Sequence, residues 1–349
     1  MAIPDSIGGP VARWLLNINE PLLRRLAGAP LCNDDGAILD THIRALITLE
    51  AMARRPPQES LSVSEARAQM RSSVIMVEES AFSLHRIRDD SINGAIPIRI
   101  YTPRAAPEPL PVALFFHGGG FLLGDLDTHD VACRRLARDA ECIVVAVDYR
   151  RGPEHRFPAA VDDAWAAFRW TIDNAAALGG DAARVGVIGD SAGGNLAAAV
   201  SLLARDDGGS SPVFQLLVYP ALDFYRRAES HRRFGQGFLL SSSTIDWYSA
   251  NYAHRSQWDD MRASPLLAKD VSGVAPAYVV TAGFDPLRDE GRAYAARLRE
   301  ARVNVAHHEE RAMTHGFFNM GGVIPAARAA NQNIARQLHA GLRRPLTPG

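Results

Sequence analysis

The chain has 349 residues, of which 47% are hydrophobic and 22% charged, and its formal net charge is −1. This is ordinary globular material with no basic footprint for nucleic acid, and no apolar run reaches the roughly 18 residues of a membrane span. Three cysteines, Cys32, Cys133 and Cys142, are too few and odd in number for a disulfide framework. They read as buried thiols of a cytoplasmic protein.

The opening residues lack a basic n-region and an unbroken apolar core, so no secretory signal is predicted. Residues 11–26 place Val11, Trp14, Leu15, Ile18, Leu22, Leu23 and Leu26 at helical spacing. A second helical pattern carries Ile43, Leu46, Ile47 and Met52, and a weaker third begins near Ser64. The first 75 residues are therefore expected to be helical, without strands. The texture then changes. In "SLHRIRDDSINGAIPIRIYTP" two alternating runs flank Asn93-Gly94, a hairpin signal.

From residue 112 onward, apolar strands alternate with helices. Strands are expected at 112–116, 142–149, 184–189, 214–222, 277–283 and 303–309, with helices at 159–178 and 192–205. Continuous apolar strands between helices imply an α/β fold with a mostly parallel sheet covered on both faces. Residues 224–262 break the rhythm. They carry Phe224, Tyr225, Phe234, Phe238, Trp247, Tyr248, Tyr252 and Trp258 in a segment longer than a crossover needs. The expected division is an N-terminal helical cap segment (1–75), a catalytic domain (76–223 and 263–349) and a cap insertion (224–262).

Two glycine clusters carry the chemistry. "PVALFFHGGGFLLG" puts three glycines after a strand, where bare peptide N–H groups would serve a phosphate or an oxyanion. It has no G-K-[ST] for a Walker loop, and neither cluster has dinucleotide G-x-G-x-x-G spacing. "RVGVIGDSAGGNLAAAV" decides for the oxyanion: a strand, a tight G-x-S-x-G turn around Ser191, then a helix. Oxyanion donors are then expected at Ala192, after the nucleophile, and at Gly119 and Gly120, with Gly118 as turn former. Which two of the three glycines donate stays open. His117 reads as a brace for that loop.

A serine nucleophile needs a base and an orienting acid, in the chain order Ser, Asp or Glu, His. His315, in "AMTHGFF", follows the last strand in a loop and is the expected base. His231 and His254 fall in the insertion, His307 and His308 on a strand, and His339 in the final helix. Asp285 ends a strand and is the expected acid, with Asp223 as its rival. Asp289 and Glu290 read as surface charges of the next helix, and Asp190 is expected to point away from Ser191.

Together, "HGGGF", "GDLDTHD", "DYRRGPEHRFPAAVDDA", "GDSAGGN", "SPLLA", "DPLRDEG" and "THGF" resemble the hormone-sensitive-lipase family of α/β-hydrolases, in its bacterial carboxylesterase branch with the G-D-S-A-G elbow. The resemblance spans residues 80–335. Arg151-Gly152 stands where that family usually has Leu-Ala. The resemblance implies Ser191, Asp285 and His315 as triad, and Gly119, Gly120 and Ala192 as oxyanion hole. It also implies a helical cap and hydrolysis of short- to medium-chain esters with neither cofactor nor metal. "VNVAHHEE" reads as an exposed edge strand, and the resemblance implies a homodimer across it. The alternatives are an amidase, carbamate hydrolase or acyltransferase with the same triad, and a non-catalytic ligand receptor, against which the presence of His315 argues.

Overall fold

The computed structural model describes residues 19–343. The beginning of the predicted helix 11–26 lies outside the described residues, and its remainder is α1 (Glu20–Ala27). Next come α2 (Thr41–Ala53), capped by the Asp40 carboxylate, and α3 (Val63–Val77), which opens with a Ser62/Glu65 capping box. β1 (Arg86–Ile92) and β2 (Ile96–Thr102) form the predicted hairpin. Asn93 and Gly94 at its tip both take positive φ, 51° and 72°. Such a turn matches the right-handed twist of the strands it joins.

The remaining chain alternates: β3 (Leu110–Phe116), α4 (Asp130–Ala140), β4 (Ile143–Val147), α5 (Ala159–Asn174), β5 (Gly180–Asp190), α6 (Ala192–Asp207) and β6 (Gln215–Val218). Two helices then intervene, α7 (Glu229–Phe234) and α8 (Ser242–Tyr252). They are followed by β7 (Ala277–Phe284), α9 (Arg288–Glu300), β8 (Val305–Thr314) and α10 (Pro325–Gly341). The strands form one sheet in the order β1-β2-β4-β3-β5-β6-β7-β8. β2 is antiparallel to β1 and β4, and every other neighbouring pair is parallel.

Strand side chains alternate between two cores, which is why the strands are apolar throughout. Val112, Leu114 and Phe116 pack with α5, α6 and α9, while Ala113 and Phe115 pack with α4 and α10. This is a mostly parallel α/β sheet, flanked by helices on both faces. β8 lies at one edge, paired with β7 alone. The N-terminal region and the 224–262 stretch meet each other. Tyr248 Oη donates to Gln58 Oε1 (2.6 Å), and Thr244 Oγ1 donates to Glu59 Oε2 (2.9 Å).

Cys133 and Cys142 are buried as expected, but Cys32 is exposed. The segment around it is fastened by its polar residues instead. Asn33 Nδ2 donates to the Gly283 carbonyl (3.0 Å), and Arg288 holds Asp34 (2.7 Å) and Asp35 (3.3 Å). Anchoring through Asn33 and its acidic neighbours leaves the thiol turned outward.

Arg288 is 2% exposed and is further neutralised by Asp289 at 2.8 Å. A buried guanidinium is tolerable only with such partners. Its hydrogen bond to Asp34 holds that carboxyl at about 2, below the ordinary 3.8. A lowered carboxyl pKa stabilises the folded chain above the ordinary value, and the gain is lost as pH falls through the folded one. Asp34→Asn should therefore melt below wild type at pH 7, with the gap closing between about pH 4 and pH 2. Thermal melts across that range test this; a gap independent of pH would deny Asp34 its ionised role.

Candidate active site

β5 delivers the chain at Asp190, and Ser191 turns it sharply into α6 with φ 56° and ψ −117°. A non-glycine residue in this region is strained and persists only where its surroundings fix it. Ser191 N–H donates to the Val218 carbonyl (2.9 Å), and its own carbonyl accepts from Asn195 (3.1 Å) and Ala221 (3.2 Å). Behind it, α6 crowds β3. A Cβ at Gly193 would lie 1.9 Å from the Phe116 carbonyl oxygen, so no side chain fits there. The first turn of α6 consequently faces the loop after β3, with its N–H groups and dipole directed toward Ser191.

The structure brings Ser191, His315 and Asp285 together from three strand ends. Asp285 follows β7, is fully buried, and accepts the Leu287 N–H through Oδ1 (2.8 Å). Its Oδ2 lies 2.8 Å from His315 Nδ1, and His315 Nε2 lies 2.9 Å from Ser191 Oγ. An ionised carboxylate only accepts, so Nδ1 carries the proton and Nε2 accepts from the serine hydroxyl. The rival Asp223 is buried but turned onto its own loop, accepting from Tyr225 N–H (3.0 Å) and pairing with Arg227 (3.2 Å).

The other histidines are engaged elsewhere. His231 Nε2 pairs with Glu290 Oε1, His307 bonds Thr281 (2.9 Å), His308 bonds Glu310 (3.1 Å) and His339 bonds the Ala140 carbonyl (3.1 Å). His254 is exposed.

The triple-glycine loop wraps over the start of α6. Gly118 N–H donates to Asp190 Oδ1 (2.8 Å) and is therefore committed to the fold. Gly119 and Gly120 adopt φ of 121° and 60° and line the cleft beside Ser191 and Ala192. A Cβ on Gly120 would strike the Tyr248 ring at 2.2 Å, so Tyr248 lies directly over this loop. His117 is buried beneath it, stacked on Tyr149 at 4.3 Å, with Nδ1–H donating to the Gly118 carbonyl (2.8 Å). Burial pushes its imidazole pKa down, which favours the neutral ring. Arg151 fastens the far side of the loop through the Gly124 carbonyl and Asp148.

Two acidic residues play parts that the sequence reading did not give them. Asp190 is buried and holds Gly118 N–H, with His129 Nε2 at 3.3 Å and Tyr219 Oη at 3.3 Å. Burial by itself would raise its pKa; His129 and the Gly118 amide outweigh that and hold it low. Glu290 corrects an expectation: it is 1% exposed, not a surface charge. Its Oε2 accepts the N–H groups of Leu222 (2.6 Å) and Asp223 (2.9 Å), and burial raises its pKa. The i, i+3, i+4 spacing of Leu287, Glu290, Gly291 and Tyr294 was the available signal, since it puts Glu290 on the inner face of α9. Asp289 is half-buried, accepting from Ser230 N–H (3.0 Å).

A hydroxyl bonded to an oriented imidazole, beside a glycine loop and a helix N-terminus, is the equipment for acyl transfer. Comparison with known proteins points the same way. Residues 113–319 match the family described as alpha/beta hydrolase fold. The carboxylic ester hydrolase LipN of Mycobacterium tuberculosis is 47% identical over 354 aligned positions, 97% of this chain and 92% of that protein. The ethyl acetate hydrolase of Pseudomonas putida is 40% identical, covering 78% of this chain and 88% of that one. Among solved structures, the ester hydrolase EH1AB1 from the metagenome of Lake Arreo superposes with a TM-score of 0.84 at 40% identity. That match covers 86% of this chain and 98% of the other. A thermostable esterase from Pseudomonas putida ECU1011 gives a TM-score of 0.82 at 34% identity, over 88% and 98% of the two chains.

Proposed function

This chain belongs to the α/β-hydrolase family, as a family IV carboxylesterase, and on that premise we propose that Ser191, His315 and Asp285 carry out its ester hydrolysis. The observation that carries the assignment is the unbroken hydrogen-bond chain from Ser191 Oγ through His315 to Asp285, at 2.9 and 2.8 Å. Ser191 Oγ attacks the ester carbonyl while His315 Nε2 takes its proton. The carbonyl oxygen becomes an oxyanion and accepts N–H bonds from Gly119, Gly120 and Ala192, the amides that border Ser191. Gly118, whose N–H is bound to Asp190, serves as turn former, and His117 braces the loop. The tetrahedral species collapses, the C–O bond to the alcohol breaks, and the alcohol leaves with the proton from His315. Water then gives its proton to His315 and attacks the acyl carbon; the bond to Ser191 Oγ breaks, His315 Nε2 returns the proton to that oxygen, and the acid is freed. Asp285 keeps the imidazole in the tautomer that both halves require.

The described helices of the expected cap segments 1–75 and 224–262, α1 to α3 and α7 to α8, act as a cap over this cleft, a reading supported by the Tyr248–Gln58 and Thr244–Glu59 bonds between the two segments. A roofed apolar cleft suits short- to medium-chain acyl groups, each buried CH₂ contributing about 0.8 kcal/mol until the wall is met. Two copies pair through the open edge of β8. Three free thiols, one of them exposed, suit the reducing cytoplasm.

An ester series from acetate to laurate, with a matched amide, tests this reading. Ser191→Ala and His315→Ala should each lower kcat/KM by roughly 10⁴-fold in a folded protein, and the double variant should lose little more. Clearly additive losses would remove His315 as the base of Ser191. Tyr248→Ala should shift the chain-length optimum upward; an unchanged profile would take the roof out of the acyl site. Light scattering across a range of protein concentrations should give a dimer, and a monomer at every concentration would rule out pairing through β8.

A further inference from the structure

β6 ends by breaking its own alternation. Leu216 and Val218 face the core shared with α4 and α10, and Leu217 faces the core shared with α5, α6 and α9. Regular alternation would send the next residue, Tyr219, to the side of Leu217. Its backbone instead takes φ 36°, an outlier for a bulky residue, directly before Pro220, where extended backbone is the rule. The Tyr219 side chain consequently comes out on the side of Val218. Its N–H still donates to the Val280 carbonyl (2.6 Å), so the distorted residue remains tied to the sheet. Conformations of this kind persist only where their surroundings fix them, and they cluster at active sites.

The re-aimed ring lies against the expected base. Its centroid is 4.5 Å from that of the His315 imidazole, at an interplanar angle of 50°, and the Phe317 ring backs it at 5.2 Å and 81°. Its Oη donates to Asp190 Oδ2 (3.3 Å), on the carboxylate whose Oδ1 holds Gly118 N–H. Burial pushes the Tyr219 phenol up, so it stays a neutral donor. At 1% exposure the side chain is too buried to touch substrate. One residue thus contacts both the base and the carboxylate that pins the root of the glycine loop. Asp285 alone does not immobilise the imidazole, because it bonds only the Nδ1 edge and the torsion that swings a histidine ring is soft. A second ring packed beside the imidazole limits that swing.

We infer that Tyr219 is a positioning residue that couples the general base to the oxyanion loop: its ring holds the His315 imidazole in line with Ser191, and its hydroxyl steadies Asp190 and, through it, Gly118. The inference rests on the hydrolytic reading of Ser191 given above and adds no chemical step. At 3.3 Å the hydroxyl bond is long, so the ring carries the larger share.

Turnover of p-nitrophenyl butyrate tests this, in variants whose folding is checked by thermal melting. Tyr219→Leu, which removes ring and hydroxyl, should lower kcat by roughly 10²-fold, and Tyr219→Phe, which keeps the ring, by about threefold, each with a far smaller change in KM. Two double variants separate positioning from a general loss of structure. With His315→Ala in place there is no imidazole left to hold, so adding Tyr219→Leu should cost less than about threefold. With Asp190→Asn in place, adding Tyr219→Phe should cost nothing further. If Tyr219→Leu does not fold, Tyr219→Met, flexible enough to fill the same space, takes its place as the variant without a ring. Wild-type kcat in the Tyr219 variants, or costs carried undiminished into the two backgrounds, would overturn the assignment. Ser191→Ala reads the hydrolytic mechanism separately. Turnover retained in Ser191→Ala sinks the triad, whereas an inactive Ser191→Ala beside fully active Tyr219 variants sinks only the positioning role.

Discussion

The close approach of α6 to β3 at Gly193 is the constraint on which the rest of the site depends. The Phe116 carbonyl lies where a Cβ on residue 193 would stand, so α6 starts against the strand that carries the glycine loop. The chain reverses at Ser191 with its φ at 56°, and three backbone hydrogen bonds fix that reversal, two to β6 and its following loop and one from Asn195 in α6. The strain of such a conformation, of order 1–3 kcal/mol, is held by the packing of two cores on a sheet of eight strands. Everything chemical follows from this geometry. The hydroxyl is raised above the sheet, and β7 and β8 end beside it, one bearing Asp285 and the other leading to His315.

The second layer is electrostatic. Amides useful to an oxyanion must point at one spot before the substrate arrives, since reorganising them during reaction would cancel their benefit. In the oxyanion hole proposed here, Asp190 serves that end by holding Gly118 N–H at 2.8 Å, which pins the root of the loop whose next glycines line the cleft. A single donor of this kind contributes about 2.7–4 kcal/mol to transition-state stabilisation, several times the worth of an ordinary hydrogen bond in water. Asp190 thus matters through a neighbouring amide while its carboxylate remains turned away from the reacting atoms. Glu290 works in the same manner on the other wall, fixing Leu222 and Asp223 N–H groups and so the loop that follows β6.

What could be read from the sequence was whatever its local pattern dictates. The Asn93-Gly94 hairpin, the alternating strands and helices, and the strand–turn–helix around Ser191 are set by neighbours within a few residues. Asp285 and His315 could be picked out because both follow strand ends in a fixed chain order. Roles decided by packing between distant segments were not legible. Glu290 looks like one more surface acid of an Arg-rich helix until α7 brings His231 against it across 59 residues. Asp190 meets Gly118 across 72 residues, and Cys32 is turned outward by the anchoring of Asn33 and Asp34 to strands and helices some 250 positions away.

The claim at the centre of this account is that one serine hydroxyl and three particular amides meet at one point. A p-nitrophenyl alkylphosphonate reacts with such a hydroxyl to form a stable tetrahedral adduct, with release of p-nitrophenol. The account predicts a single adduct per chain, mapped to Ser191 by peptide mass. In the crystal structure of the adduct, the phosphonyl oxygen should lie about 3 Å from the amide nitrogens of Gly119, Gly120 and Ala192. An adduct on any other side chain, or an adduct on Ser191 whose phosphonyl oxygen faces solvent away from those amides, would contradict it.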